Sequence, residues 1–315
     1  MKPLIILILA LLFSSYCVNG QELNLRTFNY SKADSIALHF PKTRYKSYTE
    51  LVAPLTDKLK TEQEKFRVIF RWIADNVAYS ISNSSDDPDK VVKKKKAVCI
   101  GYSTLLKDMC NSIGIECEVI TGWSKVDPVE IGQKTKETTH AWNAVKLNGN
   151  WYLTDVTWAT SAFNKKKKKF YKEFDTAYFL PTPAFFIKQH FPKDKKWQML
   201  DTLVKKSFFI KSLVWYEAAN QLGTWIISPT KGKVTQKGNK DFTVVLHITK
   251  WDSTSNLDFI IDDDINKTQI SEVKSYTNNR CMTVKCNFPE NLKGEHNVDV
   301  YYNGQAINGF RIDFY

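Results

Sequence analysis

Apolar residues recur at helical spacing most clearly between Phe66 and Val77, where Phe66, Ile69, Phe70, Ile73 and Val77 fall on one face. Thr61 and Glu64 precede them at the separation of a capping box, so the pattern predicts a helix over about 62–76 that presents one stripe to a core. A second helical run starts at Cys99, with apolar residues at 105, 106, 109, 110 and 113 and Gly114 as its stop. Cys99 therefore opens a helix. The period then changes. Ile115 to Trp123 alternates as a strand does, and Thr139 to Leu147 and Trp151 to Trp158 read as two strands joined by Asn148-Gly149, a strong hairpin signal. A helix, a strand and an antiparallel hairpin in succession predict an α+β domain.

Elsewhere the pattern is thinner. Residues 21–60 read as an N-terminal arm with one helix near Tyr48 to Leu59, and Asn83 to Asp89 is a loop by composition. Residues 160–212 mix aromatics, lysines and prolines without a period and read as a connecting region wrapped on the first domain. From about Val214 the chain turns to short β-rich runs: Thr224 to Ile227, Phe242 to Ile248, Leu257 to Ile261, Met282 to Phe288, Asn297 to Tyr302 and Gly309 to Tyr315. Their spacing predicts a small immunoglobulin-like β-sandwich over 213–315, following a first domain over 61–212.

The first twenty residues bear on where the chain works. Ten apolar positions from Leu4 to Phe13 follow Lys2, and Val18-Asn19-Gly20 suits a cleavage site, which is the pattern of a secretory signal over 1–20. Ten apolar residues are about half of the roughly 20 a membrane-spanning helix needs, so no span is expected in the mature chain. Cys17 raises the alternative of a lipid-modified N-terminus, against which bulky Tyr16 stands. An exported product, secreted or periplasmic, is the expectation. The formal charge of +12 stems largely from Lys93 to Lys96 and Lys165 to Lys169. It favours acidic surfaces, an acidic envelope polymer among them, and nucleic acid is not expected as a partner outside the cell. Five cysteines (99, 110, 117, 281 and 286) survive cleavage, and an odd number in an oxidising compartment leaves at least one unpaired.

That arithmetic directs attention to Cys99. A thiolate is the nucleophile in cysteine catalysis, and a helix N-terminus and a neighbouring imidazolium both lower a thiol's pKa. His140 stands at the start of the hairpin. If Asn148 and Gly149 are the turn residues, Leu147 faces Asn150, 140 lies opposite 157 and 142 opposite 155. His140 and Asp155 then share one face of the sheet as diagonal neighbours, and a carboxylate there can hold the imidazole's tautomer and stabilise its charge. The competing reading of Cys99 is a buried small residue or half of a disulfide. Cys110 lies about 16 Å along the helix axis, out of reach, whereas Cys117 stays open as a partner.

Ala97-Val-Cys99-Ile-Gly-Tyr-Ser103, Met109-Cys-Asn-Ser-Ile-Gly-Ile115, Thr139-His140-Ala-Trp-Asn143 and Trp151-Tyr-Leu-Thr-Asp155-Val-Thr-Trp158 together resemble the transglutaminase-like superfamily block by block. Phe70-Arg-Trp72-Ile-Ala-Asp-Asn76-Val-Ala-Tyr79 resembles the helix before its active site. The run from Asp175-Thr-Ala-Tyr-Phe-Leu180 through His190-Phe-Pro192 to Trp197-Gln198 is similar to the branch containing kyphoscoliosis peptidase. The resemblance covers about 45–210. It implies a papain-like core, in which a Cys-bearing helix packs on an antiparallel sheet, and acyl transfer through a thioester on Cys99 with His140 and Asp155 completing the triad. The implied substrate is a protein or peptide, attacked at a peptide or carboxamide carbonyl, and no cofactor is implied. Hydrolysis by a peptidase or amidase is favoured over cross-linking, and a silent binding or scaffold protein of the cell envelope is the alternative.

Trp142, Trp151, Trp158 and Tyr102 are candidates for a substrate groove, although aromatic strand positions usually pack. The backbone N–H of Cys99 is the expected oxyanion donor, with Trp72 and Tyr79 as candidates for the second. His190 has no matched partner and is expected to be structural. Cys281 and Cys286 are evenly placed between a small disulfide and none. Asp262-Asp-Asp264 is too short a run to claim calcium, and the lack of paired C-x-x-C spacing argues against structural zinc. Sequons at Asn29, Asn83 and Asn266 matter only in a eukaryotic host.

Overall fold

The computed structural model describes Leu25 and residues 28–82, 84–164, 169–252, 254–262, 264–270, 272–277 and 280–315. The expected export signal over 1–20 lies outside the described residues, as do Asn83, Lys165 to Lys168 and Asp263. Among the described residues no helix is long and apolar enough to cross a membrane.

Helix Glu62–Asn76 occupies its predicted span. Thr61 accepts from the Glu64 backbone N–H, and the Glu64 side chain accepts from the Thr61 N–H. Its stripe of Phe66, Ile69, Phe70 and Ile73 is fully buried. At roughly 1.5–3 kcal/mol per large apolar side chain, this burial outweighs intrinsic helix propensity. Helices Ser31–His39 and Tyr48–Thr56 add Ala33, Ala37, Leu51 and Leu55 to the same core, so the segment expected as an arm packs with the first domain. The first of these helices was not legible because it packs through two alanines, which leave little periodic signal. A third short helix, Pro88–Lys94, begins in the last two positions of the expected loop: Asp87 accepts from the Lys90 N–H, Pro88 begins the helix, and Lys95 ends it in the left-handed region. The turn-like residues there are a helix start, and Val91 and Val92 are buried beneath the lysines.

The sheet of the first domain has four antiparallel strands in the order Asn150–Thr154, His140–Leu147, Cys117–Ser124 and His190–Pro192. Asn148 and Gly149 have φ of +50° and +81°, as a type I′ turn requires, and Leu147 faces Asn150 as that turn dictates. The strand expected over 151–158 ends at Thr154. There Asp155 accepts from the backbone N–H groups of Thr157 (2.8 Å) and Trp158 (3.1 Å), offering the chain a turn in place of a ladder. Strand His190–Pro192, from the segment read as irregular, closes the other edge, where a proline costs no ladder bond.

Gly122 makes that edge possible. A Cβ at position 122 would lie 2.2 Å from the Phe191 carbonyl oxygen and 2.5 Å from the Trp142 ring. Gly122→Ala must therefore push the His190 strand outward, and about 3 kcal/mol of lost stability is expected in denaturant unfolding. A variant as stable as wild type would show that this edge yields easily.

The C-terminal residues form two sheets around a second core. One has the order Thr224–Ser228, Phe242–Ile248, Cys281–Cys286, Glu272–Thr277, and the other Lys233–Gln236, Gln305–Phe314, Gly294–Tyr302, Leu257–Ile261, Asp264–Ile270. Val244, Leu246 and Val284 of the first meet Phe259, Val298 and Phe310 of the second in one cluster. Strand Lys233–Gln236 pairs in parallel with Gln305–Phe314, and neither it nor the two strands between 264 and 277 was foreseen. Cys281 and Cys286 are not joined: they end one six-residue strand and, an odd number of residues apart, point to opposite faces. The two units are tied at the linker, where the Lys125 Nζ donates to the carbonyls of Phe209 (2.8 Å) and Ser212 (2.6 Å) and Val214 pairs with Gly309.

Candidate active site

Cys99 is the first residue of helix Cys99–Asn111. Val98 provides no capping side chain, and no acidic residue occupies the first turn, so the amide dipoles there are left to act on the sulfur. Gly101 keeps this turn close to the preceding loop, since a Cβ would lie 2.1 Å from the Ser85 carbonyl oxygen. The thiol is half-buried and belongs to no disulfide, which removes the pairing with Cys117 that the sequence left open. Burial alone would raise its pKa. Hydrogen bonding and charge from His140, together with the Ala141 backbone N–H, overcome that and bring it below the ordinary thiol value.

His140 begins strand His140–Leu147, and its Nε2 lies 2.6 Å from Asp155 Oδ2. That leaves Nδ1 as the ring nitrogen for the sulfur. Burial opposes charge on the ring, but the Asp155 carboxylate and the Cys99 thiol push its pKa up to about 9. Asp155 is fully buried. Desolvation would raise its carboxyl, yet the hydrogen bonds and charge of His140, then the hydrogen bond of His190, hold it well below the usual carboxylate range. Each carboxylate oxygen takes two hydrogens: Oδ1 from the two backbone amides, Oδ2 from His140 and from His190 Nε2 at 2.9 Å.

His190 is thus a member of the site, although its sequence context pointed to a structural role alone. It enters from 35 positions beyond Asp155, on a three-residue strand with no pattern of its own. One signal was available: a buried carboxylate has about four acceptor positions, and the triad supplied a donor for only one. His140, Asp155 and His190 also place potential metal ligands within 4.8 Å of one another. Ligand atoms around one ion at about 2.0–2.1 Å each stand roughly 3 Å or more apart, so the 2.6 Å contact is that of a shared proton.

Residues 49–156 match the transglutaminase-like superfamily, and Cys99, His140 and Asp155 all fall inside that span. Residues 49–156 are a transglutaminase-like domain. The chain is 36% identical over 158 residues to human "Kyphoscoliosis peptidase" (48% of this chain, 24% of that protein) and 29% identical over 187 residues to Drosophila melanogaster "Hillarin" (54% and 23%). It is 27% identical over 195 residues to Caenorhabditis elegans "Lim and transglutaminase domain protein ltd-1" (57% and 27%). The chain spans about a quarter of the length of these curated relatives. A crystal structure of a TGase aligns with 44% of this chain and 36% of its own at 17% identity and a TM-score of 0.27.

Within the transglutaminase-like domain the other candidates separate by burial. Trp158 stays half-buried with its ring 5.6 Å from that of His140, at the rim of the site. Trp142 is 1% exposed and packs beneath His140, and Tyr102 is fully buried with its hydroxyl donating to the Val77 carbonyl, so neither walls a groove. Trp151 sits at the turn end of the hairpin, paired with Trp197. Of the oxyanion candidates, Tyr79 is half-buried and close enough to Cys99 that burial and the thiolate together raise its pKa. Trp72 is buried and lines a cavity with Lys42, Arg44, Lys93 and Lys95. The Cys99 N–H, in the first turn, has no intrahelical acceptor.

Proposed function

We propose that this chain is an exported cysteine enzyme that cleaves or transfers acyl groups at peptide or carboxamide bonds. The observation that carries the reading is a half-exposed thiol at a helix N-terminus, hydrogen-bonded to an imidazole that a fully buried carboxylate holds. In the first step the Cys99 thiolate attacks the carbonyl carbon, and the oxyanion meets the Cys99 N–H and the Tyr79 hydroxyl. His140, carrying the proton taken from the thiol, gives it to the leaving amine as the C–N bond breaks and the thioester forms. Water, deprotonated by His140, then attacks the thioester, releasing the acid and returning the proton to sulfur. An amine in place of water would give cross-linking; hydrolysis is favoured by the name of the human relative, a peptidase. The apolar run at the N-terminus supports export, and the two-sheet C-terminal unit, read as an immunoglobulin-like sandwich, presents the substrate or docks the enzyme.

Iodoacetamide at about pH 6, with the labelled site mapped by mass spectrometry, tests this directly. Cys99 is expected to react at least tenfold faster than half-buried Cys281 of the same molecule, because its thiolate persists well below an ordinary thiol pKa of roughly 8.5. Equal labelling of the two would leave a fold that binds without turnover.

A further inference from the structure

We infer that His190 is a positioning residue for the triad: a permanently neutral Nε2–H donor that fixes the Asp155 carboxylate so that its full charge serves His140. This rests on the reading of Cys99, His140 and Asp155 as catalytic. The contact is a hydrogen bond of 2.9 Å to the same oxygen that His140 engages at 2.6 Å. An ionised carboxylate only accepts, so the Nε2 of His190 must carry the hydrogen, and its tautomer is dictated by Asp155.

The surroundings keep the ring neutral and still. His190 is fully buried, stacked on Phe186 at a centroid distance of 3.9 Å and an interplanar angle of 4°. Trp158 lies 4.2 Å away, tilted against it, and Trp142 5.1 Å away, edge-on. Burial in this cage pushes its pKa down to about 4; the Asp155 hydrogen bond and charge only partly offset that, and the charged form of His140 adds to it. A second imidazolium here would divide the single carboxylate charge between two cations. A neutral donor instead occupies a lone pair without competing for the charge. Rotation of Asp155 is blocked as well, since its other oxygen is held by the amides of Thr157 and Trp158.

A packing role alone predicts that any flat ring would serve. His190→Phe keeps the stack and removes the donor, whereas His190→Gln restores a donor near the Nε2 position. Without that donor Oδ2 of Asp155 keeps His140 as its one side-chain partner and can tilt away from it, and a weakened contact there costs the imidazolium, and through it the thiolate, about the worth of one hydrogen bond, roughly one pKa unit. The acid limb of the iodoacetamide rate profile of Cys99 is therefore expected to move up by about one unit in His190→Phe, with labelling near pH 6 falling roughly tenfold, and to return most of the way in His190→Gln. A His190→Phe profile that superimposes on a reactive wild type would overturn the inference while sparing the function proposed above; an unreactive wild-type Cys99 would overturn that function instead. Should both variants fail to fold, nitrogen-15 spectra of the wild-type imidazoles decide. His190 is expected to remain the neutral Nε2–H tautomer from about pH 5 to 8, and either the Nδ1–H tautomer or titration within that range would end the argument.

Discussion

Asp155→Asn is expected to slow alkylation of Cys99 at about pH 6 by roughly a hundredfold or more, and turnover of any amide substrate by up to ~10⁴, while the domain stays folded. The amide can keep one oxygen facing the backbone N–H groups of Thr157 and Trp158. Its NH₂ then faces the two imidazole nitrogens that the wild-type Oδ2 accepts from. Two donors cannot share a hydrogen bond, so His140 must turn its Nε2 lone pair toward the amide and place its hydrogen on Nδ1, facing sulfur. In that tautomer it cannot accept the thiol proton. The pH dependence has a definite sign. In the wild type the ion pair spans the window from the lowered thiol pKa up to about 9, where His140 deprotonates. Without the carboxylate, only the Cys99 sulfur opposes burial at His140, so the imidazole pKa falls from about 9 and the thiol's rises. The window closes from both sides. A variant that labels at the wild-type rate near pH 6 would mean that the carboxylate is dispensable.

The parts of this site that were legible in the sequence are those set by short-range rules. A helix start at Cys99 follows from the apolar spacing and Gly114, and the two-residue turn at Asn148-Gly149 sets a single register that runs as far as Asn143 opposite Thr154, which brings Asp155 to the His140 end of the hairpin although it lies one residue beyond the ladder. Long-range partners left no such trace. His190 reaches the carboxylate because Gly122 lets its strand approach and because Phe186 and Trp158 clamp the ring, and each of these depends on elements far apart in the chain. Trp142 and Tyr102 misled in the opposite direction: an aromatic residue beside a candidate catalytic one reads equally well as groove or core, and burial alone separates the two. The unforeseen helix Ser31–His39 has the same origin, since what anchors it lies on a partner helix.

That anchor supports the second large effect. Arg67→Ala is expected to lower the unfolding free energy of the first domain by about 3–5 kcal/mol, read as a shift in denaturant midpoint with little change in slope. Arg67 sits on the polar shoulder of helix Glu62–Asn76 and is only 4% exposed. Its Nε and Nη2 donate to the two oxygens of Asp34 at 2.6 and 2.9 Å, and its Nη1 to the Thr176 hydroxyl at 3.2 Å. The guanidinium also lies 4.5 Å from the Phe179 ring centre and 5.1 Å from that of Phe174, an arrangement that planar Arg makes and Lys does not. One side chain thus joins the N-terminal helix, the central helix and the segment leading to Tyr178, whose carbonyl receives the Asp155 N–H. Truncation leaves the Asp34 carboxylate without its bidentate partner and removes a cation from three ring faces, Tyr30 being the third. Surface ion pairs are worth about 0–1 kcal/mol, so a measured loss in that range would show that water already screens this one. Arg67→Lys, which keeps the charge and gives up the fork, is expected to recover less than half of the loss.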